Sequence, residues 1–255
     1  MYWNTHPNAY PGGPILKVAV EGGEPSTVTE TNQDLPSGLA IDSSNVFWGD
    51  QLTDESGQLA SAPLGGGPKT MLASGPEAAG FTFAIDATDV YYATAPWFGM
   101  VARVPLGGGT PTVLATDEPC GTFAADESHL YWWTVEVVPE LKRMPKSGGA
   151  PEVITSADEL PVGVHSMGLG HLVVDATHLY WTYPGTYVEI DGKMTTNNDG
   201  RVFKVEKTGG TPSVIAPARS PWGIAVGDER VYWADYGSVS DGQYNGDGAI
   251  ANAPK

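Results

Sequence analysis

The residues best suited to acid–base work are His165 and His171, in the stretch PVGVHSMGLGHLVV, and the one thiol is Cys120. An imidazole within hydrogen-bond reach of a thiol can draw off its proton, and the thiolate attacks carbonyl carbon. Spacing alone does not bring these three together, and unpaired histidines and cysteines are more often structural. A second chemistry is open to the carboxylates. The loop DYGSVSDGQYNGDG carries Asp235, Asp241 and Asp247, and the loop EIDGKMTTNNDG carries Glu189, Asp191 and Asp199. Calcium takes several hard oxygen ligands, which such loops can supply, although neither has EF-hand spacing. Asp-Gly and Asn-Gly are also ordinary turn residues. No Gly-x-Ser-x-Gly elbow, phosphate loop or HExxH motif is present. The triple-glycine runs are not phosphate cradles, because no helical pattern follows them.

What must position these residues is a repeat. An aromatic pair recurs at Tyr2/Trp3, Phe47/Trp48, Tyr91/Tyr92, Tyr131/Trp132, Tyr180/Trp181 and Tyr232/Trp233, at intervals of 45, 44, 40, 49 and 52 residues. A short apolar run precedes the last five pairs (GLAID, TFAID, TFAAD, HLVVD, GIAVG). Another run and a Gly-Gly turn follow the first five, and a fourth run follows each turn. Runs rich in Val, Ile, Tyr, Phe and Trp, separated by Asp, Ser, Asn, Gly and Pro, are strands and turns. Four strands, here a to d, repeated at this period specify a β-propeller blade. The sequence predicts an all-β, six-bladed propeller in a single domain, with units at about 1–31, 36–74, 80–116, 120–156, 169–216 and 222–255. The first unit shows no strand a and the last no strand d, so the terminal blades read as incomplete and the chain as a trimmed ring or a fragment.

The phrase GIAVGDERVYWADYGS resembles the YWTD-type and NHL-like propeller repeats. The resemblance covers the whole chain and implies a six-bladed ring. It implies little about function, because such propellers include receptor domains, scaffolds, lyases and hydrolases. A calcium-dependent hydrolase of this kind would hold its metal with carboxylates at the starts of the inner strands. The strand-a starts here are Pro36/Ser37, Gly80/Phe81, Cys120/Gly121, Leu169/Gly170 and Pro221/Trp222, and none is a carboxylate.

In a propeller the d–a and b–c connections share one face. Here those connections are long and irregular, while the a–b and c–d turns are short and uniform. Binding usually resides on irregular loops carried by a rigid scaffold. The loop side carries Trp97, Phe98, Trp133, Tyr183, Tyr187 and Tyr236, with Phe81 and Trp222 at strand-a starts. Exposed aromatics beside polar groups suit sugars, peptides or proteins. The Tyr-Trp pairs themselves are expected to pack between blades. The aspartates ending strand a (Asp42, Asp86, Asp126, Asp175) are expected to accept backbone N–H bonds in the a–b turns.

Composition narrows the partners. Thirteen basic against 30 acidic residues give a net charge of −17, which repels phosphate backbones and anionic membranes. No apolar run reaches the roughly 18 residues of a membrane span. A single cysteine offers neither an internal disulfide nor a zinc cluster. Met1 is followed directly by Tyr-Trp with no leader, yet acidity and repeat type favour a secreted or periplasmic protein. The sequence reading is a monomeric, non-enzymatic module that presents an aromatic, acidic loop face to a glycan, peptide or protein. No cofactor is required, and calcium is the one the loops could hold. The alternative is a hydrolase or lyase acting at the channel mouth, with His171 or His165 as base.

Overall fold

Short β-branched and aromatic runs between turn residues can satisfy their backbone groups only by pairing, and each repeat pairs its own strands in order. The computed structural model describes residues 2–4, 13–19, 21–31, 36–51, 56–78, 80–94, 99–160, 170–190, 193–240 and 243–255. Among these, six antiparallel sheets follow the six repeats. Sheet one holds β1 (Tyr2–Asn4), β2 (Ile15–Lys17) and β3 (Ser26–Thr29). Sheet two holds β4 (Pro36–Ile41), β5 (Asn45–Gln51), β6 (Gly57–Pro63) and β7 (Thr70–Gly75). Sheet three holds β8 (Gly80–Ile85), β9 (Asp89–Thr94), β10 (Val101–Pro105) and β11 (Thr112–Ala115). Sheet four holds β12 (Cys120–Ala125), β13 (His129–Thr134), β14 (Glu140–Pro145) and β15 (Glu152–Ser156).

Sheets five and six each carry an inset. In sheet five, β16 (Leu172–Val174) and β17 (His178–Tyr183) are followed by a separate hairpin of β18 (Tyr187–Ile190) and β19 (Lys193–Thr196), then by β20 (Gly200–Glu206) and β21 (Ser213–Ala218). Sheet six has β22 (Pro221–Val226) and β23 (Arg230–Asp235), a small hairpin of β24 (Val239–Ser240) and β25 (Gln243–Tyr244), and β26 (Ala249–Pro254). The two hairpins stand where irregular b–c loops were expected. The chain divides into two compact units, Met1–Cys120 and Gly121–Lys255, with three sheets following each side of that boundary.

In sheets one to five the pairing of strand c with strand d shifts register at one repeated place: between Ile15 and Leu16, Leu59 and Ala60, Val101 and Ala102, Leu141 and Lys142, and Val202 and Phe203. A bulge there adds twist to the outer edge of each sheet.

Each sheet has two coded faces. One carries the first aromatic of the pair and the strand-c residue paired with the position two after it. The other carries the second aromatic. In the second unit, Tyr131, Trp133 and Leu141 of sheet four pack on Leu179, Trp181, Phe203 and Val205 of sheet five. Tyr180 and Val202 of sheet five pack in turn on Val231 and Trp233 of sheet six. In the first unit, Ile15 and Val28 of sheet one meet Trp48 and Ala60 of sheet two, whose Phe47 and Leu59 meet Tyr92 and Val104 of sheet three. The strand-c residue paired with the position two after the first aromatic is fully buried in five sheets, as Ile15, Leu59, Val101, Leu141 and Val202. Its equivalent in sheet six, Ile250, is 76% exposed, and Tyr232 on the same face is 41% exposed.

The a–b turns lock neighbouring sheets. Asp126 Oδ1 accepts the N–H groups of Ser128 and His129, both at 2.8 Å. Its Oδ2 accepts the Tyr131 hydroxyl at 2.8 Å and the Lys207 ammonium of the next sheet at 2.6 Å. Asp175 repeats the arrangement with Thr177, His178, Tyr180 and Lys255. Burial alone would raise both carboxyls, but the lysine, backbone and tyrosine hydrogen bonds hold them well below the usual carboxylate range. Burial and the same aspartates push the hydroxyls of Tyr131 and Tyr180 up. Asp42 binds the backbone of its turn in the same way, but Phe47 stands in the tyrosine position and joins the apolar cluster against which Leu106 packs.

Candidate loop-face site

The expected site lies where strand a starts and strand b ends, and threonines at the ends of strand b hold the loops there. Thr94 Oγ1 accepts the Met100 N–H at 3.0 Å, and Thr134 Oγ1 accepts the Glu140 N–H at 2.9 Å. Each hydroxyl closes a b–c loop across its base. Thr182 does a different job. Its hydroxyl accepts the His171 N–H at 3.1 Å and donates to the Trp222 carbonyl at 2.6 Å. One side chain thus links the starts of strands a in sheets five and six.

That linkage places His171 beside Trp222. The His171 ring is exposed, yet protein atoms crowd it, and this partial burial lowers its pKa below the ordinary 6.5. Trp222 stacks on Tyr236 with ring centroids 6.3 Å apart and planes 26° apart. Tyr236 is 49% exposed and forms the outer surface of the pair. The indole Nε1 of Trp222 is buried, with no acceptor among the described residues.

Of the eight aromatics expected on this face, the structure brings Trp222 and Tyr236 together. Trp133 and Tyr183, expected in b–c loops, are the last or next-to-last residues of β13 and β17 and are 1% and 2% exposed. Strand b runs further past the aromatic pair than the turn residues suggest, so both side chains enter the core between sheets four and five. There Trp133 meets Trp181 edge-on at 5.3 Å, and Trp181 stacks on Phe203 at 5.3 Å. Phe81 and Tyr187 lie on the described backbone of β8 and β18, with side chains outside the described residues, as are Trp97 and Phe98.

Three carboxylates of the metal reading, Asp235, Asp247 and Asp199, are engaged by the protein. Asp235 accepts the N–H groups of Arg219 at 3.0 Å, Ser220 at 3.1 Å and Gly237 at 2.9 Å. Asp247 accepts the Ser238 N–H at 2.8 Å and hydroxyl at 2.9 Å, and pairs with the Arg219 guanidinium. Those Ser238 bonds come first among the causes that lower the Asp247 pKa. Asp199 repeats this clamp on the N–H and hydroxyl of Thr186, at 2.7 and 2.8 Å. The amides of Asn197 and Asn245 complete the two clamps on Thr186 and Ser238. Both clamps need a glycine before the hydroxyl residue: a Cβ on Gly185 would lie 2.6 Å from Asp199 Oδ1, and one on Gly237 would strike Asp247 Oδ1. The signal for this device, Gly-[Thr/Ser] followed by Asn-x-Asp-Gly, is visible in both repeats. Asp241 lies outside the described residues, as does His165. Among the described residues no group of three His, Cys, Asp or Glu side chains could hold a metal ion. Cys120 is a fully buried cysteine outside any disulfide at the start of β12, where no substrate reaches its sulfur directly.

The loop face also carries an apolar segment that the sequence reading passed over. Val135, Val137 and Val138, in the b–c loop of sheet four, are 40%, 93% and 39% exposed. With Glu136 they line an open depression of about 720 Å³. The run VEVVP, three valines within four residues of one short b–c loop, is the signal.

No known protein family matches the chain by sequence, and no curated protein does. Solved structures do match by shape. A putative TolB from Agrobacterium tumefaciens superposes with a TM-score of 0.61 at 15% identity, over 91% of this chain and 80% of that one. BamB from Moraxella catarrhalis gives 0.50 at 16% identity, over 88% and 61%. A puromycin-hydrolyzing peptidase from Mycobacterium tuberculosis gives 0.53 at 11% identity, over 84% of this chain but 36% of that one. Likeness at this identity shows the fold alone: the chain has a β-propeller fold. Among the described residues no helix is long and apolar enough to cross a membrane.

Proposed function

We propose that this chain is a binding module, a six-bladed propeller of the YWTD or NHL-like kind whose loop face engages a peptide or protein. The carrying observation is how the loop-face groups are used. Among the described residues, Asp235, Asp247 and the Thr182 hydroxyl hold loops and strand starts, while Tyr236 over Trp222 and the valine loop are exposed. A reacting site needs a nucleophile or base with an oriented partner. A binding site needs rigid apolar and aromatic anchors within a polar rim, which is what stays available. Aromatic stacking on Tyr236 would equally admit a sugar ring, so a glycan is the second ligand class for that pair. The strong acidity fits a protein working outside the cytoplasm, as a monomer.

The test is selection of random dodecapeptides against the immobilised whole chain, beside a panel of ester, peptide and glycoside substrates. Saturable peptide binding, lost in Tyr236→Ala or in variants of the valine loop, is expected. Turnover of any substrate that disappears in His171→Ala would overturn the reading in favour of a hydrolase or lyase.

A further inference from the structure

We propose that the b–c loop of sheet four, residues 135–138, is a docking site for an extended peptide with apolar side chains alternating with lysine or arginine. The inference rests on the binding-module reading and names the partner chemistry of one part of that face. Three features carry it.

The first is exposure without a local reason. Valine side chains on a loop gain nothing from water, and Val137 is 93% exposed. Contiguous apolar surface framed by polar groups marks an interaction site. The second is rigidity. Thr134 closes the loop base onto Glu140, and the Ala157 N–H donates to the Pro139 carbonyl at 2.8 Å, tying the loop to the turn that follows β15. Val135 lies against the backbone of β12: a Cβ on Gly121 would sit 2.8 Å from Val135 Cγ2. A patch held in place beforehand costs little ordering on binding.

The third is charge. Glu136 stands among the valines, Glu140 closes the loop, and Asp158 and Glu159 are exposed on the turn tied to Pro139. Lys142 is drawn to Glu140 at 3.5 Å. An apolar floor with an acidic rim, on a chain of net charge −17, selects a cationic and apolar partner and repels nucleic acid and anionic lipid. In an extended peptide alternate side chains point to opposite sides. One set can rest on the valines while the other reaches the carboxylates over the rim.

The probe is a fluorescein-labelled hexapeptide of alternating Leu and Lys, titrated with the whole chain in 150 mM salt and read by anisotropy. Ser/Lys and Leu/Glu hexapeptides are the controls. The Leu/Lys peptide is expected to bind saturably and at least tenfold more tightly than either control. Val137→Asp should weaken it at least tenfold without moving the melting temperature, since Val137 packs on little. Val153→Asp, an exposed valine on the outer strand of the same sheet, should leave it unchanged. Equal binding by Val137→Asp and the parent chain, or by the Leu/Lys and Ser/Lys peptides, would overturn this inference. Failure of the Leu/Lys peptide, with dodecapeptides that still bind saturably, would overturn it while leaving the binding-module reading intact. Failure of every peptide would remove both.

Discussion

The bare face of sheet six can be tested by comparing one repeated position in two contexts. Leu141 and Ile250 are each the second residue of strand c, paired with the position two after the first aromatic, and both lie in the second unit. Leu141 is fully buried and Ile250 is 76% exposed. Truncating a buried leucine to alanine removes its transfer energy and leaves a cavity, costing about 3 kcal/mol. At this size that lowers the melting temperature by roughly 10 °C. Ile250 has about a quarter of its surface out of water. With full burial of such a side chain worth up to about 3 kcal/mol, Ile250→Ala should cost about 0.7 kcal/mol, or roughly 2 °C. The sharper variant is Ile250→Lys, which should be near neutral on an open face and costly on a covered one. Calorimetry of the three variants, with light scattering to record mass, decides the matter. If Ile250→Lys falls as far as Leu141→Ala, the face is covered in solution and the reasoning from its exposure fails.

The turn locks give a pH signature. The carboxyls of Asp126 and Asp175 are depressed in the folded chain, so their contribution is present above the unfolded value of about 3.9 and is lost as pH falls toward the folded value. Lys207→Met should therefore destabilise by about 1.5–3 kcal/mol at pH 7, with the difference from the parent shrinking below about pH 4; a pH-independent difference in urea melts would contradict the lock. Asp199→Ala should release the inset hairpin of sheet five, seen as lost hydrogen-exchange protection at the amides of Thr186 and Asn197 while those of β17 stay protected. Millimolar calcium added after EDTA should leave the melting temperature in place, because Asp235 and Asp247 are already bonded within the protein. A rise of several degrees would point to ligands that include Asp241.

Most of the sheet frame was legible because the aromatic pair, the Gly-Gly turn and the turn aspartate recur at fixed offsets. Offsets within a strand and its next turn are local, and local rules of alternation and turn chemistry decide them. The tyrosine hydroxyl that completes each lock follows the turn aspartate by five residues, at Asp126 with Tyr131 and Asp175 with Tyr180. It was visible but unread, because the lysine that completes the set comes from the next repeat. Trp133 and Tyr183 were misplaced for a related reason. Whether an aromatic past the pair continues the strand or joins the loop depends on what the neighbouring sheet offers it, here Trp181 for Trp133. The loop carboxylates illustrate a harder limit. Asp, Asn, Gly and hydroxyl residues in one loop are the same composition whether they bind a cation or bind each other, and only the hydrogen-bond partners of Asp199 and Asp247 separate the two.

The two clamps of sheets five and six also amount to a standard socket. The same closing atoms hold inserts of different length, ten residues (187–196) in one and six (239–244) in the other. An insert whose ends are fixed by Gly-[Thr/Ser] and Asn-x-Asp-Gly makes no demand on the frame beyond a hairpin's width. The chain should therefore accept transplanted hairpins at these two places, exchanged between the sheets or taken from elsewhere, with its sheets unchanged. Its recognition surface can then be rewritten one cassette at a time.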